Sequence, residues 1–231
     1  MTDTVLDNPA WEALNSQHAV FATGTDKAKR YRPGILPFTG CLGVSGGSME
    51  DLDPFLNSGE ALYIIGDDLP RMPATWVVEH ELPCAQMLLT KDVIVQQQTS
   101  DVLITVEELG ADSSGEMFDL INKVQPGYYQ PDTYLLGTYF GIREEGRLVA
   151  MAGERMRLNG FSELSAICTL PSHTGRGYAQ ILIAEICRLH AANNVVSFLH
   201  VTLANQRAIR LYEFMGFQQR RTIIFRRFRK P

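Results

Sequence analysis

One segment constrains this chain more than any other. Glu163-Leu164-Ser165-Ala166-Ile167-Cys168-Thr169 is an extended run, followed by a turn with two glycines, Thr174-Gly175-Arg176-Gly177-Tyr178-Ala179. An amphipathic stretch then runs to about Ala192. Tyr178, Ile181, Leu182, Ile186 and Leu189 recur at helical spacing, and Ile183 and Cys187 widen the apolar face. Asn193-Asn194 ends that helix, and Val195 to Val201 reads as an apolar strand. Asn205 opens a shorter helix with Ala208, Leu211, Tyr212 and Met215 on one face. Gly216 stops it and Phe217 starts the last strand. Strand, glycine turn and helix in that order make an anion site. The first N–H groups of a helix lack internal acceptors, the macrodipole is positive there, and glycine lets a phosphate approach the backbone. Taken alone, the turn is equally well a plain strand-to-helix connection. It is neither a Walker A loop nor a G-x-G-x-x-G fingerprint.

Upstream of this segment the punctuation is regular back to about Asp101. Val102 to Leu109 alternates like a strand, Ser113 to Val124 fits a helix, and Pro131 to Leu136 opens a short helical piece. Tyr139 to Arg143, Leu148 to Arg157 and Glu163 to Thr169 read as successive strands. Glu144-Glu145-Gly146 and the hairpin signal Asn159-Gly160 connect them. The first hundred residues are loop-rich, broken by Pro33, Gly34, Pro37, Gly40, Gly43, Gly46 and Gly47. Met49 to Leu56 reads as a short helix. Ala61 to Ile65, Thr75 to Val78 and Asp92 to Gln96 read as strands. A boundary is expected near Gln96 to Asp101, giving a unit 1–100 and a domain 101–231.

The ordered motifs from about Val102 onward resemble the GNAT superfamily of acyl-CoA-dependent N-acyltransferases. The family's Arg/Gln-x-x-Gly-x-Gly/Ala motif corresponds to residues 174–179, with Thr174 in place of Arg or Gln. Its Asn followed by Ala-Ile-x-Leu-Tyr-Glu-x-x-Gly-Phe is intact as Asn205 and Ala208 to Phe217. The combination looks most like the subgroup holding the C-terminal domain of glycine N-acyltransferases. The resemblance implies a mixed α/β (α+β) fold, a mostly antiparallel sheet with flanking helices. The N-terminal unit is then either a degenerate copy of that fold or a lid. It also implies acetyl-CoA as co-substrate and no metal. Thr174, Gly175, Arg176, Gly177, Tyr178 and Ala179 would hold the pyrophosphate. Asn205, Ala208 and Tyr212 would contact CoA, and a peptide N–H of Ile167-Cys168-Thr169 would stabilise the oxyanion. Tyr212 would protonate the leaving thiolate, since a phenol near pKa ~10 suits a thiol near ~8.5. Glu163 would take the amine's proton, directly or through water. The acceptor would be a small-molecule amine or amino acid.

Blander roles compete with each assignment. Tyr212 fits a core stripe, Glu163 a solvated strand end, Asn205 an N-cap and Cys168 a buried filler. His173 reads as solvated and His200 as packed on its strand. Tyr128, Tyr129 and Tyr134 either wall the acceptor site or pack in loops. A hydrolase is the rival enzyme class: Gly43-Val44-Ser45-Gly46-Gly47 matches G-x-S-x-G, with His80, His190 and His200 downstream. Pro37 and Gly40 spoil the strand that motif needs. A non-catalytic CoA-binding or partner-binding protein of the same fold is the stronger rival.

Composition narrows the setting. Hydrophobic residues make up 45% and charged residues 20% of 231, which suits a globular chain rather than a disordered one. No apolar run reaches the ~18–20 residues a membrane span needs, and the polar, acidic start does not read as a secretory signal. Cys41, Cys84, Cys168 and Cys187 are scattered, without metal-ligand or disulfide spacing. A soluble cytoplasmic monomer or homodimer is expected. Residues 1–100 carry net charge −7 and residues 101–231 carry +2. Arg220, Arg221, Arg226, Arg227, Arg229 and Lys230 crowd the tail. Thr222 to Phe225 interrupts them, so the tail reads as a strand with a charged edge rather than a nucleic-acid site.

Overall fold

The computed structural model describes residues 3–43, 48–67, 69–91, 93 and 104–231. The G-x-S-x-G motif, the strand expected at 92–96 and the boundary near 96–101 fall largely outside these residues. Helix α1 (Pro9–Leu14) precedes β1 (Ala22–Gly24), β2 (Ala28–Tyr31), β3 (Phe38–Cys41), β4 (Ala61–Ile65) and β5 (Val77–Leu89). Then come β6 (Glu107–Leu109), α2 (Ser114–Val124), β7 (Tyr139–Glu144), β8 (Arg147–Leu158) and β9 (Phe161–Thr169). The chain finishes with α3 (Tyr178–Ala192), β10 (Val196–Thr202), α4 (Gln206–Phe214) and β11 (Phe217–Arg229). The eleven described strands form one sheet in the order β1-β2-β3-β4-β11-β5-β10-β9-β8-β7-β6. Only β3–β4 and β9–β10 pair in parallel. The mixed, mostly antiparallel α+β architecture is the one expected.

Apolar periodicity explains how the layers stack. Helix α3 buries Leu182, Ile183, Ile186 and Cys187, and it packs on β7 to β10. Helix α2 buries Met117, Leu120 and Ile121 against β8 and β9. A second apolar cluster draws on both ends of the sequence: Leu6, Leu14, Tyr31 and Phe38 meet Phe161, Phe198, Ile223 and Phe225.

Strand β5 is longer and more central than Thr75 to Val78 suggested. It pairs antiparallel with β10 on one side and β11 on the other. Pro83 and the charges at Glu79 and Glu81 mask it, because Pro within a run normally argues against an inner strand. Here the Pro83 carbonyl accepts from Leu203 N at 3.0 Å, beside the end of β10. The boundary expected near residue 101 therefore falls between strands of one sheet, and residues 77–89 sit inside the part assigned to 101–231.

The tail also differs from expectation. β11 lies between β4 and β5, not at an edge. Its arginines meet carboxylates of the first hundred residues: Arg220 and Arg221 pair with Asp7, Arg226 with Glu81, and Arg227 and Arg229 with Glu79. The acidic first part and the basic tail are each other's counterions.

Candidate functional site

The site begins where two strands part. β9 and β10 pair in parallel from Phe161↔Val196 to Leu164↔Leu199 and no further. β10 then follows β5 as far as Thr202↔Cys84, while β9 stays with β8. A wedge opens between Ser165–Thr169 and His200–Thr202. Peptide groups of β9 that face it have no strand partner, so they are donors and acceptors awaiting a ligand. β9 also bulges at this point. Gly153 faces Ser165 and Met151 faces Cys168, which leaves Ala152 opposite both Ala166 and Ile167. Ala166 has φ +51°, a left-handed conformation that is costly for a residue with a Cβ. Such a bulge re-aims peptide groups. Nothing in the sequence announces it, because it exists only through the register of β9 on β8.

A cleft of 720 Å³ follows the wedge. Of the residues expected to bind cofactor, Ile167, Cys168, Thr169, Thr174, Gly175, Gly177, Tyr178, Ala179, Asn205, Ala208 and Tyr212 line it. Ser165, Ala166, Val201, Thr202 and Arg207 line it as well, and these the motif reading had missed. Gly175 and Gly177 both have left-handed φ, +83° and +78°. A Cβ at Gly175 would meet no atom within 4 Å, so the turn leaves open space before the first peptides of α3. Asn205 is an N-cap, as its blander reading held, and its side chain accepts from Ala208 N at 3.1 Å.

Arg176 is the member of the turn absent from the cleft wall. Its Nη1 donates to both oxygens of Glu144, at 2.7 and 2.9 Å. The Tyr178 hydroxyl donates to the same carboxylate. Any hold on phosphate at position 176 thus comes from the backbone. Tyr128 and Tyr129 wall the cleft, whereas Tyr134 does not.

Tyr212, on α4, lines the cleft and is buried, with its ring edge-on to Phe217 at 6.0 Å. Burial pushes its phenol up to about 12. Burial likewise pushes the Cys168 thiol up to about 12, so it remains a thiol at neutral pH and fits the filler role.

Glu163 is not a poised base. It is wholly buried and absent from the cleft wall. Arg155 Nε and Nη2 donate to its two oxygens at 2.9 and 2.5 Å, and His200 Nδ1 lies 2.7 Å from Oε1. Burial raises a carboxyl, but the adjacent Arg155 charge and the hydrogen bonds from Arg155 and His200 outweigh it, holding Glu163 at about 2. A carboxylate that weakly basic, and occupied on both oxygens, does not collect a proton from an amine. The expected role is corrected accordingly: Glu163 anchors Arg155 and His200.

A second buried carboxylate lies on β8. Burial raises Glu154, yet hydrogen bonds from His190, Ser162 and the Thr138 N–H hold it at about 2. Ser197 Oγ lies 2.8 Å from His190 Nδ1, and His190 Nε2 lies 3.0 Å from Glu154 Oε1. This Ser-His-Glu chain has the connectivity of a hydrolytic triad, but all three residues are buried and none lines the cleft. It ties α3 to β8, β9 and β10. Both carboxyls have folded pKa values depressed from about 4.3. The stability they contribute is complete above that value and is lost as pH falls towards 2. Circular dichroism melts should therefore show Tm steady from pH 7 to about 5 and falling steeply between about pH 4 and 2. Glu154→Gln should flatten that fall. An unchanged acid slope in the variant would refute this assignment.

Among the described residues no helix is long and apolar enough to cross a membrane, and no three His, Cys, Asp or Glu side chains gather as metal ligands. The FR47-like protein family matches residues 139–225, which run from β7 to Phe225 on β11. No curated protein sequence matches the chain significantly. Among solved structures, a GNAT-family protein from Novosphingobium aromaticivorans shares 29% identity over 98% of both chains, with a TM-score of 0.88. A GCN5-related N-acetyltransferase from Kribbella flavida shares 13% over 96% of this chain and 95% of its own, at 0.61. A GCN5-related N-acetyltransferase-like protein from Streptococcus suis shares 11% over 96% and 94%, at 0.62. The last two likenesses concern the fold alone. Parted strands, a bulged β9, a glycine-led helix and these likenesses converge on one architecture: the chain has the fold of GNAT-family acetyltransferases.

Proposed function

We propose that the protein is an N-acetyltransferase that moves an acetyl group from acetyl-CoA to the amine of a small molecule, by direct attack in a ternary complex. The observation that carries this reading is one cleft holding both a parted-strand wedge and the open N-terminus of α3. The peptides of Gly175 to Ala179 take the pyrophosphate at the positive end of that helix. The pantetheine arm extends along the wedge, bonding to free peptide groups of β9. A peptide N–H within Ile167–Thr169 donates to the carbonyl oxygen as it becomes an oxyanion. The amine nitrogen bonds to the carbonyl carbon, the C–S bond breaks, and sulfur leaves with the electron pair. The amine gives its proton to solvent. A non-catalytic CoA binder has no need of a tyrosine at the thioester; that Tyr212 lines the cleft favours an enzyme.

Burial changes the part Tyr212 plays. A phenol held near 12 is a weaker acid than a thiol at ~8.5 by more than three decades. Complete proton transfer to the thiolate runs uphill, so Tyr212 donates a hydrogen bond to the sulfur as charge grows there. One hydrogen bond to a charged atom contributes about 1.5–3 kcal/mol. Tyr212→Phe should therefore lower turnover by about 10- to 10²-fold, with acetyl-CoA affinity changed far less. Steady-state rates at saturating acetyl-CoA check this; turnover within twofold of wild type returns Tyr212 to a packing role. Incubation with acetyl-CoA and a panel of amines, following free thiol and acetylated product by mass spectrometry, tests the activity itself.

A further inference from the structure

The far end of the cleft, away from the glycine turn, is walled by Leu36, Leu82, Tyr128 and Phe225, with Arg155 among them. The cleft wall contains no Asp or Glu among the described residues; its only Lys or Arg side chains are Arg155 and Arg207. Arg155 is held from several sides. Two of its nitrogens fork onto Glu163. Its guanidinium carbon lies 5.0 Å from the ring centre of Phe38, 5.6 Å from that of Tyr128 and 5.9 Å from that of Phe225. The third nitrogen, Nη1, makes no hydrogen bond among the described residues, and neither does the Tyr128 hydroxyl. Two donors on the cleft wall, in an aromatic chamber, are thus left for a ligand.

We infer that this chamber receives the acceptor as an amine bearing a carboxylate and an apolar body, an α-amino acid with an apolar side chain, and that Arg155 and Tyr128 bind its carboxylate. The inference rests on the acetyl-transfer reading for its direction but not for its chemistry. A polyamine or aminoglycoside carries several ammonium groups, and each would meet a wall with no carboxylate on it and a guanidinium whose charge Glu163 already balances. An apolar amine without a carboxylate would fill the walls and leave both donors unpaired. Glu163 is then a positioning residue: it aims the guanidinium fork and does not touch the acceptor.

Calorimetry on the full chain with CoA present compares phenylalanine, phenethylamine and spermidine. Phenylalanine should bind at least about tenfold tighter than either amine, the margin of one charge-assisted hydrogen bond. Equal binding, preference for phenethylamine or spermidine, or binding of none overturns the inference. The double variant Arg155→Met with Glu163→Gln removes the pair together, so no buried charge is stranded. It should lose the preference for phenylalanine while keeping affinity for phenethylamine; a preference that survives overturns the role of Arg155. Should that variant fail to fold, Tyr128→Phe provides the same comparison with a near-identical ring, and an unchanged preference there removes Tyr128 from the site. Thiol release measured alongside separates the two readings. Preferential binding without turnover sinks acetyl transfer and leaves the chamber's ligand standing. Turnover without the binding preference does the reverse.

Discussion

Gly177→Glu is expected to leave a folded protein that has lost acetyl-CoA affinity by about 10²-fold or more. Two effects add. The residue sits at φ +78° as the N-cap of α3, and a side chain there costs about 1–2 kcal/mol of backbone strain. The larger effect is electrostatic. A carboxylate about 5 Å from a pyrophosphate charge repels it by about 3 kcal/mol at an effective dielectric near 20. Gly177→Ala supplies the strain without the charge, and its affinity should fall much less. Calorimetry on both variants, with circular dichroism to confirm folding, decides the matter. Affinity within threefold of wild type for the glutamate variant would move the pyrophosphate elsewhere.

A fragment beginning at Asp101 is expected not to fold, and to bind no acetyl-CoA. Without β5, nothing joins β10 to β11: each pairs with β5 and not with the other. The fragment also loses Gln86, whose amide nitrogen donates to Leu6 O and lies 2.9 Å from His200 Nε2, while its oxygen accepts from Arg220. Buried Cys84, Ala85 and Met87 go with it, exposing their partners to water. Co-expression with residues 1–100 should restore a soluble complex. A fragment that alone melts cooperatively and binds acetyl-CoA like the full chain would show that β5 is dispensable.

What the sequence made legible is local. The glycine turn, the α3 stripe and the Asn205 cap each lie within a few residues, and physical chemistry at that range is written in the order of the chain. What stayed hidden depends on register between strands. Arg155 meets Glu163 because β8 and β9 form a hairpin around Asn159-Gly160. Counting back from the pair Leu158↔Phe161 sets Met156 opposite Glu163, and a shift between Glu154 and Arg157 brings Arg155 into play. The turn was recognised, so a basic partner for Glu163 was within reach; the shift was not. β5 was hidden for another reason. Its inner position comes from two partners distant in sequence, and Pro83 argued against it locally. The tail's charges misled in the same way, since their counterions lie about 140 to 220 residues upstream.

The placement of β11 has a consequence for how the chain is made. β4 and β5 each form a full edge with β11, a strand synthesised long after either of them. At synthesis rates of about 5–20 residues per second, the 140 residues from Leu89 to Arg229 take on the order of ten seconds to appear. For that interval the first half waits with open strand edges, which invite pairing with neighbouring chains. Expression yield should therefore depend on temperature and on holding chaperones more than final stability alone would suggest, because exposure ends only when the thirteen residues of β11 slot between β4 and β5.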